Sequence, residues 1–161
     1  MSLKESPLLR ELAGRPDAAP PQGWQAVFNR LADEPEAGAI FVSIDEDDQI
    51  VGLITLGISE AIRVGGRYAT IQELWVHRNY RGSSIGASLV REALAYCEER
   101  NLDRVEVGLP SITFPAIRQV EEFYKAAGFD TVGPRMRCFV KSERMKALDH
   151  VHRNGQKRSE R

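Results

Sequence analysis

The chain has 161 residues, 42% of them hydrophobic and 28% charged, with a formal net charge of −1. That length suits one domain with a real core, and so balanced a charge supplies no bulk field for nucleic acid or a membrane surface. No apolar run approaches the roughly 20 residues that span a bilayer. No apolar signal-peptide core opens the chain. The two cysteines, Cys97 and Cys138, have neither metal-ligand spacing nor a disulfide framework. A reducing cytoplasm and no metal is the simple reading.

In chain order, residues 1–21 read as an irregular N-terminal segment. Pro7, Pro16, Pro20 and Pro21 oppose a long helix there, and Leu8, Leu9 and Leu12 allow one helical turn. Trp24, Val27, Phe28 and Leu31 recur at i, i+3, i+4 and i+7, which predicts an amphipathic helix over residues 22–33. After a loop come two β-branched and aromatic runs, Ala39–Ile44 and Ile50–Ile58. They are joined by the acidic turn Asp45 to Asp48, and the pattern predicts a hairpin around a solvated turn. A third strand is expected over residues 61–76, most clearly from Arg67 to Val76, with Gly65 and Gly66 marking a turn or bulge.

Ile85, Leu89, Val90, Ala93, Leu94 and Cys97 form one apolar stripe. They predict a helix from Ser84 to Arg100, ended by Asn101 in a left-handed cap. Val105, Val107 and Leu109 alternate as a strand that Pro110 ends. Ile117, Val120, Phe123, Tyr124 and Ala127 outline another amphipathic helix, closed by Gly128. Phe129 to Val132 and Met136 to Lys141 read as a last strand or hairpin. Beyond Ser142 the chain turns polar and basic. The expected organisation is a domain over 22–141 between the irregular segment 1–21 and a tail at 142–161, without internal repeats.

The most informative stretch is V-H-R-N-Y-R-G-S-S-I-G-A-S-L-V, from Val76 to Val90. A strand leads through a small polar turn straight into a helix. Arg81, Gly82, Ser83, Ser84 and Gly86 fall where a helix leaves its first N–H groups without intrahelical partners, at the positive end of the dipole. That arrangement cradles an anion such as a phosphate, with glycines permitting close approach and arginine adding a cation. The competing reading is a plain strand-to-helix turn with serine as N-cap. The turn lacks the G-x-x-x-x-G-K-[ST] pattern of an ATP-binding loop.

The same stretch resembles motif A of the GNAT superfamily of acyl-CoA-dependent N-acetyltransferases. Its signature is Gln/Arg-x-x-Gly-x-Gly/Ala, often after V-x-P-x-Y-R-G. Arg81, Ser84 and Gly86 fall on the signature positions, with Val76, Tyr80, Arg81 and Gly82 on the flanking ones. Ser84 stands in place of a glycine and Arg78 in place of the usual proline. The F-Y-K-A-A-G-F run, Phe123 to Phe129, resembles the family's F-Y-x-x-x-G-F ending. Ile117 stands where the family often has asparagine.

The resemblance implies an α/β (α+β) GNAT-like fold: a mixed, mostly antiparallel twisted sheet with a central splayed strand pair and flanking helices. The splayed pair would be Gln72–Val76 and Arg104–Leu109. It implies acetyl-CoA as co-substrate, with pantetheine along Leu74, Trp75 and Val76 and the pyrophosphate on Arg81, Gly82, Ser83, Ser84, Ile85, Gly86 and Ala87. The Val76 N–H would be an oxyanion donor. The implied activity is transfer of acetyl to a primary amine by direct attack, with Glu73 as base and Tyr124 as general acid. Glu73 also reads as a solvated strand residue, a partner for an arginine or a binder of the substrate cation, and Tyr124 as a packed core aromatic.

The acceptor is a small-molecule amine or a protein amino group, and Asp33, Glu34, Glu36 and Glu60 would suit a cationic one. No nucleic acid and no membrane partner is implied, and a homodimer, common in that family, stays open. An inactive CoA-binding sensor or partner-binding module of the same fold is the alternative. His77 reads as structural or exposed, His150 and His152 as tail residues outside any metal site, Cys97 as core and Cys138 as a strand residue.

Overall fold

The computed structural model describes residues 22–133 and Met136. Contacts divide the chain into Met1–Asp130 and Thr131–Arg161. In the second unit, residues 131–133 and Met136 belong to no helix or strand. The readings made for residues 1–21, for 137–141 with Cys138, and for the tail with His150 and His152 lie outside the described residues.

The two apolar runs form the expected hairpin. β1 (Gly38–Ile44) and β2 (Ile50–Ala61) pair antiparallel, and β2 pairs antiparallel with β3 (Gly66–Val76). β2 outruns the predicted Ile58 by three residues because Ser59, Glu60 and Ala61 find register partners in Tyr68, Arg67 and Gly66. β4 (Val105–Val107) lies parallel to β3, so the sheet order is β1-β2-β3-β4. Three helices complete the described fold: α1 (Trp24–Asp33), α2 (Ile85–Glu99) and α3 (Ile117–Ala126).

Side chains alternate across each strand, which gives the sheet two faces. Ile54, Leu56, Ala69 and Ile71 meet Leu89, Val90, Ala93 and Cys97 of α2 in the main core. Cys97 is buried there, as its place in the stripe predicts. Gly52 of β2 lets α2 settle close. A β-carbon there would come within 2.6 Å of Ile85 and 2.9 Å of Leu89. Leu53 and Trp75, register partners on the opposite face, centre a second cluster with Ile40 and Ile50.

Both long-stripe helices stop in the same way. Asn101 has φ +53°, and the Asn101 and Leu102 N–H groups donate to the Glu98 and Cys97 carbonyls at 3.0 and 2.9 Å. At the end of α3, Gly128 takes φ +92°, and the Gly128 and Phe129 N–H groups donate to the Lys125 and Tyr124 carbonyls, both at 3.0 Å. These are Schellman caps with their usual apolar contact, here Phe129 against Tyr124 with ring centroids 5.4 Å apart. Phe129 therefore belongs to the cap, and residues 129–132 form no strand. The cap turns the chain where β propensity alone would extend it.

Candidate functional site

β3 carries one residue more than its partner. Thr55 faces Glu73 while Leu56 faces Ile71, so Gln72 is the extra residue of a β-bulge. The bulge shifts the alternation. Ala69 and Ile71 upstream face α2, and downstream Leu74 packs on the same core. Glu73 and Trp75 consequently share the opposite face with Leu53 and Thr55.

Pairing between β3 and β4 is brief. It runs from Ala69↔Val105 to Ile71↔Val107 and ends there, while β3 continues to Val76. β4 thus leaves this side of β3 uncovered over the expected Gln72–Val76, whereas Val105 to Val107 of the expected partner strand Arg104–Leu109 are paired along their whole length and β4 stops at Val107, short of Leu109. A strand that outruns its neighbour leaves main-chain donors and acceptors along that edge, which an extended amide can meet.

Beyond Val76 the His77 N–H extends the sheet to the Val51 carbonyl at 2.8 Å, and residues Arg78–Tyr80 make a single 3₁₀ turn. Two contacts fix this turn. The Tyr80 hydroxyl donates to Asp45 Oδ2 at 2.9 Å, and Arg81 Nε donates to the Val76 carbonyl at 3.1 Å. Asp45 Oδ1 also accepts the Asp47 and Gln49 N–H groups at 3.0 and 2.9 Å. These bonds hold the Asp45 carboxyl below its usual range, the Gln49 amide contributing most. Asp45 is thus a brace between the β1–β2 turn and the cradle, where the sequence suggested only solvated charge.

Gly82 takes φ +82°, a conformation that favours glycine, with open space where a side chain would stand. Ser84 occupies the N-cap position of α2, yet its side chain makes no cap hydrogen bond. Ser83 works instead, donating to the Tyr80 carbonyl at 2.5 Å and accepting the Ile85 N–H at 3.4 Å. Among the described residues, the N–H groups of Gly82, Ser84, Gly86 and Ala87 donate to no backbone carbonyl outside the helix. Gly82, Ser83, Ser84 and Ala87 are exposed. Gly86 is buried, and the unclaimed N–H groups of the exposed residues, at the positive end of a 15-residue helix, are suited to cradle a diphosphate.

Gly86 joins the cradle to α3. A β-carbon there would sit 3.5 Å from the Phe123 ring and 3.7 Å from Val76. The next residue, Tyr124, is 7% exposed and shares the main core with Leu74 of β3 and Val107 of β4. Its ring is held edge-on between Phe123 and Phe129. No buried side-chain oxygen or nitrogen among the described residues lacks a partner. Among the described residues the Tyr124 hydroxyl has no hydrogen-bond partner, so it is not fully enclosed by them. Burial pushes this phenol up to about 12.

Glu73 is half-buried and tied to Thr55. It donates its N–H to Thr55 Oγ1 at 3.2 Å, and its Oε2 accepts the Thr55 hydroxyl. Glu73 therefore faces away from the main core in which Tyr124 packs. His77 accepts the Asn79 N–H at 3.3 Å and packs between Trp75 and Tyr80, a structural role. Glu36 pairs with Arg67 at 2.6 Å and Arg100 at 4.0 Å, and so is engaged within the protein. Ile117 is the first residue of α3. No group of three or more His, Cys, Asp or Glu side chains among the described residues is arranged for a metal, and no described helix is long and apolar enough to cross a membrane.

Sequence reasoning missed Thr55, the Gln72 bulge and the Asp45–Tyr80 bond. Thr55 did leave a trace, as the lone hydroxyl in the apolar run from Ile50 to Ile58.

Comparison with known proteins agrees with this geometry. No curated protein matches the chain. Solved structures similar to it include a glucosamine-6-phosphate N-acetyltransferase from Arabidopsis thaliana, with TM-score 0.64 and 18% identity over 80% of this chain and 86% of that one. An aminoglycoside acetyltransferase from an uncultured soil metagenomic sample gives 0.66 and 18%, covering 84% of each chain. A ribosomal-protein-alanine N-acetyltransferase from Brucella melitensis biovar Abortus 2308 gives 0.62 and 19%, over 84% and 91%. These likenesses show the fold. The model of the acetyltransferase (GNAT) family matches residues 7–129, most of the chain, and the protein belongs to that family.

Proposed function

We propose that the protein transfers an acetyl group from acetyl-CoA to a primary amine in the cytoplasm. The observation that carries this reading is the stretch of β3 from Gln72 to Val76 that β4 leaves uncovered, directly upstream of the unclaimed N–H groups that open α2. An extended pantetheine arm fits against Leu74, Trp75 and Val76. Arg81 to Ala87 suit the pyrophosphate, with the Ser84 hydroxyl as an added donor. The Val76 N–H is the candidate donor to the thioester oxygen.

The chemistry is a direct displacement. A lysine-like amine is neutral in roughly one molecule in a few thousand at pH 7, a penalty near 4–5 kcal/mol. Glu73, facing away from the main core, takes the proton directly or through water. The amine nitrogen forms the new bond to the thioester carbon, the C–S bond breaks, and the electron pair goes to sulfur. Tyr124, on the core side, donates a hydrogen bond to that sulfur. With its pKa pushed to about 12, the phenol is a weaker acid than a thiol near 8.5. It stabilises the thiolate by donation, and the sulfur collects its proton from solvent.

Two results are expected of Tyr124→Phe. The kcat should fall about 10- to 100-fold with the Kd for CoA within twofold, since the donor acts only as charge develops. The variant should also lose a dependence of stability on pH. A tyrosine titrates near 10 when unfolded and about 12 here, so its contribution is complete below pH 10 and is lost as pH rises towards 12. Urea melts at pH 9 and 11 should show the wild type losing about 1 kcal/mol more than the variant. Equal losses would mean that the phenol is not buried.

Similar structures are of acetyltransferases named for acceptors as different as glucosamine-6-phosphate, an aminoglycoside and a ribosomal-protein alanine. The acceptor here is accordingly assigned only as a primary amine, small-molecule or protein. Incubation with acetyl-CoA and a panel of sugar amines, polyamines and peptide α-amines, followed by thiol release, tests the function. Turnover on at least one amine is expected. Tight CoA binding in calorimetry without turnover on any amine would favour a CoA-binding sensor, and absence of CoA binding would overturn the reading.

A further inference from the structure

Thr55 is the one buried polar side chain among the described residues, 7% exposed within an otherwise apolar strand. A valine of similar shape would fill that position without a hydroxyl to satisfy, and a buried hydroxyl is unfavourable unless it is bonded. Both of its bonds go to one residue. Thr55 Oγ1 accepts the Glu73 N–H at 3.2 Å, and its hydroxyl donates to Glu73 Oε2. The bond sits at the β-bulge, where register shifts between Thr55 and Leu56. A regular ladder is interrupted there, and the hydroxyl supplies the main-chain acceptor. The other carboxylate oxygen, Oε1, has no hydrogen-bond partner among the described residues.

We propose that Thr55 is a positioning residue that holds the Glu73 carboxylate by one oxygen and presents the other to the incoming amine. Glutamate is a flexible side chain, and at a strand surface several rotamers are open to it. The pincer through N–H and Oε2 selects one. It also fixes the carboxylate relative to the bulged backbone of β3, the strand against which the thioester is proposed to lie. The inference rests on the reading of Glu73 as base. A base contributes only when it is held within hydrogen-bond reach of the proton it abstracts.

The test uses the full-length protein, acetyl-CoA and the best amine found by screening, with thermal melts as a control on folding. Thr55→Val should lower kcat about 10-fold and leave the KM for acetyl-CoA within twofold. Thr55→Ser should restore kcat to within about twofold, because it returns the hydroxyl. In the E73Q background, Thr55→Val should change kcat by less than twofold, since the carboxylate it serves is gone. If the valine variant does not fold, Thr55→Ala reads the same loss of hydroxyl.

Unchanged kcat in a hydroxyl-free variant, alongside impaired E73Q, overturns the Thr55 proposal and leaves the base assignment standing. A deficit that persists undiminished in the E73Q background, or that serine fails to repair in a normally folded protein, also overturns it. If E73Q itself leaves kcat unchanged, the base assignment fails and the Thr55 proposal falls with it.

Discussion

Ser84→Asp should raise the Kd for CoA at least 100-fold while leaving the protein as stable as before, or slightly more so. The two effects have one origin. Ser84 stands at the N-cap of α2 without a side-chain cap bond, in an exposed turn. An aspartate there can accept one of the outward N–H groups and sits at the positive end of the helix. A carboxylate in that place stabilises a helix by about 0.3–1 kcal/mol. The same carboxylate takes up donors meant for the diphosphate and places a negative charge a few ångströms from it. At an effective dielectric near 20, a unit pair at 4 Å interacts by about 4 kcal/mol. A hundredfold loss of affinity corresponds to roughly 2.7 kcal/mol and lies within that range. Calorimetry with CoA and a thermal melt measure the two halves separately. CoA binding as tight as in the wild type would place the diphosphate elsewhere, and a fall in melting temperature would mean that the serine has a structural role here.

Glu73→Gln should lower kcat about 100-fold at pH 7 and leave CoA affinity within twofold. Glutamine keeps the shape of the side chain, and its carbonyl can still accept the Thr55 hydroxyl, so the loss isolates the proton acceptor. Base catalysis is generally worth 10²- to 10⁴-fold. The pH dependence separates two roles. If Glu73 removes a proton, the variant depends on amine that is already neutral. Its deficit against the wild type should then shrink by up to tenfold per pH unit, until the amine is neutral near 10.4. If Glu73 only attracts the substrate's positive charge, the variant should suffer in acceptor KM and keep its kcat. A constant kcat deficit from pH 7 to 10 would sink the base role.

What could be read from the sequence was local. The stripe from Ile85 to Cys97, the left-handed Asn101 and the glycine closing α3 are patterns within one turn or a few, and the helices follow them. The apolar runs gave β1 to β3 within a few residues because period-two alternation is equally short-ranged. What stayed hidden depends on partners far along the chain. Tyr80 finds Asp45 across 35 residues. Thr55 finds Glu73 across 18. Glu36, which sequence alone suggested as an acceptor contact, finds Arg67 and Arg100. No periodicity encodes such pairings, since they follow from register, and register is settled by how whole strands bury their faces. The bulge at Gln72 shows the point in one residue. Alternation read straight through from Ile71 would turn Glu73 towards α2, and the extra residue turns it away.

The end of pairing between β3 and β4 has a consequence for acyl length. A strand edge offers amides of uniform spacing and recognises the carrier arm while remaining blind to its cargo. Under the proposed reading, the rung Ile71↔Val107, the last that joins the two strands, forms the floor of the space beside β3. A two-carbon group can stop above that floor. With the thioester at Val76, five residues and about 16 Å from that rung, only a long chain would reach it and have to turn towards one face of the sheet or the other. Under that reading the last hydrogen-bonded rung would cap the longest chain admitted and would not by itself select a two-carbon group.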